Sequence, residues 1–69
     1  MIKRGMTREQ IEAMVASEGW EVLEDKECKD EFCGDVWTEL TIWQGDHAVA
    51  IGLDEEGVYE IQFVPRWAL

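Results

Sequence analysis

Apolar residues in this chain change period near its middle, and that change predicts most of the fold. In "GMTREQIEAMVASEGW", Ile11, Met14 and Val15 fall on one helical stripe, while Arg8, Glu9 and Glu12 fall elsewhere. Thr7 stands before the stripe with Gln10 three residues on, the spacing of a capping box. Met6 and Ile11 then occupy the two positions of a hydrophobic staple. Gly19 is the left-handed stop, and Trp20 is expected to fold back on Val15 or Met14. A helix over residues 7–18 follows, and every position of the opening stretch has a structural use.

The second half alternates with period two. In "VWTELTIWQGDHAVAIGL", Gly45 and Asp46 form a two-residue hairpin turn of the primed type. The turn sets Gln44 opposite His47, Trp43 opposite Ala48, Ile42 opposite Val49 and Leu40 opposite Ile51. In "LDEEGVYEIQF", Gly57 supplies the left-handed residue of a three-residue loop with a bulge. That loop sets Leu53 opposite Tyr59, Ile51 opposite Ile61 and Val49 opposite Phe63. Both turns select one apolar face: Val36, Leu40, Ile42, Val49, Ile51, Leu53, Tyr59, Ile61 and Phe63. Strands are expected over 36–43, 47–53 and 58–64, forming an antiparallel meander under the helix.

Between them, "WEVLEDKE" begins apolar and becomes charged, as a short edge strand or an extended connection would. "CKDEFCGD" reads as an acidic, turn-rich link. The expected architecture is α+β: one N-terminal helix packed on a three- to four-stranded antiparallel meander sheet, in one domain spanning residues 1–69.

The same N-terminal residues carry a family resemblance. "GMTREQIEAM" followed by "EGW" resembles the opening of BamE/SmpA-like domains, in which a "GMT..QV" helix start precedes a small antiparallel sheet. The likeness covers about the first 20 residues and, more loosely, the three-strand tail. The family's Gly-x-Pro turn is replaced here by "ASEGWEV", and no lipoprotein signal with an N-terminal cysteine is expected. The resemblance therefore implies an α+β fold and not an envelope role.

The opposite sheet face directs the functional reading. It carries Trp37, Glu39, Thr41 and Trp43 on one strand and Ala48, Ala50 and Gly52 on the next. Val58, Glu60, Gln62 and Val64 complete it. Small residues flanked by large ones describe a shallow trough walled by two tryptophans. Either the 20–35 segment or the Trp67 tail covers it, or it is a surface for a partner.

Charge narrows the choice. Sixteen acids against six bases give a formal charge of −10, which repels nucleic acid and anionic membranes and attracts basic partners. Eight of those acids and only two bases lie between Glu18 and Asp35. "MIKRG" opens no signal peptide and "AVAIGL" is too short to span a bilayer, so a cytoplasmic location is expected.

Catalytic sets are hard to assemble. His47 is the only histidine and sits beside a hairpin turn, as an ordinary strand-end residue does. Cys28 and Cys33 lack the two-residue separation of a zinc knuckle; a "KDEF" turn could instead place them across a hairpin in disulfide range. "DEEG" and "EDKE" lack the alternating ligands of a calcium loop, and no glycine-rich phosphate loop occurs. The expectation is a non-enzymatic protein with no cofactor and no metal site.

The leading reading is therefore an inhibitor or adaptor that docks on the basic, nucleic-acid-binding surface of a partner protein. Phage anti-defence proteins (anti-CRISPRs among them), DNA mimics and immunity proteins share this profile as a class. Its expected contact residues are Trp37, Trp43, Glu39 and Glu60, with Asp30, Glu31 and Asp35 from the acidic link. The alternative is an assembly module that self-associates, as a homodimer, or binds a peptide through the Trp-lined face. A redox or metal site at Cys28 and Cys33 is the third reading.

Overall fold

A computed structural model describes residues 1–65. Thr7 caps the only helix found there, α1 (Arg8–Glu18). Its hydroxyl accepts from the Gln10 N–H at 3.2 Å, and the Gln10 side-chain carbonyl accepts from the Thr7 N–H at 2.9 Å. At the other end Gly19 takes φ 71°, and the N–H groups of Gly19 and Trp20 both donate to the Val15 carbonyl. Four strands follow: β1 (Glu21–Lys29), β2 (Val36–Trp43), β3 (Ala48–Asp54) and β4 (Gly57–Val64). They form one antiparallel sheet in the order β1-β2-β3-β4. This is the expected α+β arrangement, and the 20–35 region supplies a full fourth strand at the sheet edge.

The core lies between helix and sheet. Ile11 from α1 packs with Leu40, Ile42, Val49, Ile51, Leu53 and Val58, with Met6, Met14, Val15, Trp20 and Ile61 closing its margins. Burying each such side chain is worth about 1.5–3 kcal/mol. The expected register between β2 and β3 is observed, with Leu40 opposite Ile51 and Trp43 opposite Ala48. Gly45 opens that turn at φ 101°, and the Gln44 N–H donates to the His47 carbonyl.

The next pairing departs from expectation. Ile51 meets Ile61 and Val49 meets Phe63, but a bulge next to Gly52 sets Leu53 opposite Val58. Val58 is buried in the core, while Tyr59 is 43% exposed and lies over Gly52 on the other face. The cause is the N-terminal segment, which crosses β4 at this point. Gly5 donates to the Val58 carbonyl, and the Val58 N–H donates to the Met6 carbonyl. Gly57, at φ 110°, leaves room for that crossing: a Cβ there would lie 2.7 Å from the Met6 oxygen. The same segment buries Ile2, a core residue that periodicity does not reveal.

Two other members of the expected core face are peripheral. Val36 and Phe63 are 49% and 70% exposed, because they stand near the sheet's ends, beyond the reach of a helix of 11 residues. Cα dimensions of 37 × 26 × 16 Å suit a helix layer on a sheet layer, and among the described residues no further helix or strand lies across the sheet's far face. β1 extends the sheet sideways and does not fold across its far face. Trp67, the other candidate cover, lies outside the described residues.

Candidate functional site

Alternation along β2 places Trp37, Glu39, Thr41 and Trp43 on the face away from the helix. Pairing with β1 brings Glu24 beside Thr41, Lys26 beside Glu39 and Cys28 beside Trp37. Both tryptophans are partly buried, at opposite ends of the strand, about 20 Å apart at the usual rise per residue. The expected open trough between them is not what forms. Ala48 is wholly covered, and Tyr59 spreads over Gly52. What remains open is a hollow of about 230 Å³, lined chiefly by Glu24, Glu39, Thr41, Ala50, Glu60 and Gln62. It is polar and acidic, and it lies between the tryptophans without being walled by them. Glu39 and Glu60 do share this face, as expected.

Asp30, Glu31 and Asp35 occupy the loop that joins β1 to β2. Its conformation is built by its own hydrogen bonds. The Asp30 carboxylate accepts from the backbone N–H of Phe32 at 2.8 Å and of Cys33 at 3.4 Å. The Gly34 N–H donates to the Asp30 carbonyl, and the Asp30 N–H donates to the Asp35 carbonyl, both at 2.8 Å. The bond from Phe32 first, then those from the Cys33 side chain and N–H, hold the Asp30 carboxyl below the ordinary aspartate range. Phe32 projects from the tip, fully exposed at 101%. A benzyl side chain that touches nothing, on a loop so internally bonded, is an unusual feature for a protein surface.

Phe32 escapes a periodicity reading because it lies inside an acidic turn, where no repeating apolar neighbour marks it. Its one sequence signal is that same isolation: a large apolar residue among Asp, Glu and Gly.

The loop forms one wall of a larger open hollow at this end of the sheet, about 830 Å³. Gly34, Asp35 and Trp37 lie on one side; Asp54, Glu55, Glu56 and Tyr59 come from the β3–β4 turn and the start of β4. The Trp37 indole N–H donates to Glu39 at 3.4 Å. Tyr59 has its hydroxyl pKa raised by partial desolvation first, then by Glu60, Glu39 and Asp54, so its ring stands in a negative field. Trp37 thus joins the acidic loop, whereas Trp43 belongs to the opposite end, near the Gly45 turn.

Other candidate chemistry is dispersed. Cys28 lies in β1 opposite Trp37, and Cys33 lies within the loop, so the two are not cross-strand neighbours; both are free thiols. The Asp30 carboxylate is the main cause of a raised Cys33 thiol pKa, and the thiol itself donates to the Asp35 carboxylate at 3.4 Å. His47 Nδ1 lies 2.6 Å from the Asp46 carboxylate, and its ring tilts against Phe63. Among the described residues no three His, Cys, Asp or Glu side chains converge as a metal site. No helix there is long and apolar enough to cross a membrane. Comparisons with protein-family models, curated proteins and solved structures yield no match.

Proposed function

We propose that this chain is an acidic, non-catalytic protein-binding module that docks, as an inhibitor or adaptor, on a basic nucleic-acid-binding surface of a partner protein. The observation that carries the reading is the 30–35 loop. It presents Phe32 fully exposed, flanked by Asp30, Glu31 and Asp35, in a conformation that the loop's own hydrogen bonds hold. Preorganisation reduces the ordering cost of association, and a desolvated aromatic side chain at the centre of a contact typically carries much of its energy. Charge supports the same reading, since none of the acids is buried. A surface so charged steers a basic partner from a distance. Anti-defence proteins, DNA mimics and immunity proteins remain the class-level analogy.

In this reading the contact runs from Phe32 through Asp35 and Trp37 to Glu39 and Glu60. Trp43, at the far end of β2, contributes less. Self-association or peptide capture across the far face is the weaker alternative, because the open part of that face is lined by carboxylates.

The test begins with affinity capture at low and high salt, followed by affinity measurements on the captured partner. Phe32→Ala should leave the thermal midpoint unchanged and weaken binding at least about tenfold, the lower end of what burying such a ring is worth. Trp43→Ala should change binding far less. Wild-type affinity in Phe32→Ala would refute the loop as the contact centre.

A further inference from the structure

The hollow beside the loop combines two aromatic surfaces with a rim of carboxylates, and that combination selects among cations. Trp37 and Tyr59 line it with Asp35, Asp54, Glu55 and Glu56. Neither ring is loosely placed. The indole is tethered to Glu39 through its N–H. Tyr59 is packed so closely over Gly52 that a Cβ there would come within 2.6 Å of the ring. Arg8, the one base at the hollow's margin, is already engaged by Asp25 and by Glu12, the latter at 3.1 Å. The rim therefore keeps a surplus of negative charge close to exposed aromatic surface.

We infer that this hollow receives an arginine side chain of the partner, the guanidinium stacking on Trp37 or Tyr59 while the carboxylates accept its N–H groups. The inference rests on the docking reading above and specifies its chemistry. Guanidinium is planar, weakly hydrated and rich in donors, so it gains from stacking and from paired carboxylates together. Lysine's compact, strongly hydrated ammonium gains mainly from charge. A merely acidic surface would bind both alike.

The test uses the full chain, ¹⁵N-labelled, titrated at low ionic strength with capped hexa-arginine, hexa-lysine and hexa-citrulline peptides. Hexa-arginine should bind about fivefold tighter than hexa-lysine, within the range of one stacked cation. The citrulline peptide, neutral but similar in shape, should not bind. The largest shifts should fall on the Trp37 indole N–H and the Gly34 amide. Trp37→Leu should erase the arginine preference yet retain salt-sensitive binding. Glu55→Gln/Glu56→Gln, confined to an exposed turn, should weaken hexa-arginine more than hexa-lysine, and it decides the matter if the tryptophan variant does not fold. Equal affinity for the two cationic peptides, or a preference unchanged in these variants, would overturn the arginine site and leave the docking reading standing. Failure of every cationic peptide to bind at low salt would overturn both.

Discussion

Thr7 and Asp30 do the same physical work at two different turns: each gives a side-chain oxygen to backbone N–H groups that would otherwise lack a partner. At Thr7 the bond closes the capping box of α1. Thr7→Ala should cost about 1 kcal/mol, which in a domain of this size lowers the thermal midpoint by roughly 4–8 °C; partner binding should persist in the folded protein. Calorimetry of the variant checks it, and an unchanged midpoint would mean the cap is idle. At Asp30 the bonds shape the loop instead. A carboxyl held below its ordinary pKa stabilises the loop fully above that ordinary value, and the stabilisation is lost as pH falls through the lowered one. Cys33 shows the complementary effect: the neighbouring Asp30 carboxylate raises its thiol pKa, while the thiol itself donates to Asp35, so it resists ionisation. At mildly alkaline pH it should react with iodoacetamide more slowly than a cysteine in an unfolded peptide, despite its exposure. Asp30→Asn should accelerate the reaction. The Thr7 box is legible in sequence because both partners lie within four residues. The display of Phe32 is not, because it depends on how the Asp30 bonds turn the chain.

Within the elements, alternation and turn chemistry account for β2, β3 and their register, where Ile51 packs inward and Ala50 faces away. The β3–β4 pairing was legible only as far as Ile61. Beyond it, a single bulge exchanges Val58 for Tyr59 in the core, and the segment that selects Val58 comes from the other end of the chain, at Gly5 and Met6. A contact so distant in sequence leaves no periodic trace. The β1 strand was half legible, since its residues are nearly all exposed and carry no apolar alternation, and its pairing with β2 defines it. The bulge makes its own prediction. Gly52→Ala should destabilise the protein by about 1–3 kcal/mol, because the added methyl meets the Tyr59 ring. In Gly52→Ala/Tyr59→Ala much of that loss should be recovered. A double-mutant cycle in urea measures the coupling, and strictly additive effects would show that the ring is not held by the glycine.

For the whole molecule, a slab covered on one face by a short helix leaves surplus acids spread over a large surface and gathers its aromatic contact surface at one sheet end. The acidity was legible in composition. Its junction with Phe32, Trp37 and Tyr59 required the register and the bulge, which is why the expected Trp37–Trp43 trough gave way to the loop end. Docking by charge and docking by apolar complementarity differ most in how fast the partners find each other. The most direct measurement is therefore the association rate constant of the captured partner across a range of salt concentrations, for the wild type and for Glu31→Lys/Asp35→Lys. The wild-type rate should fall by about tenfold or more between low and high salt. The charge-reversed loop should start slower and depend less on salt, with its thermal midpoint preserved. A wild-type rate independent of salt, with the reversed loop associating equally fast, would contradict docking on a basic surface.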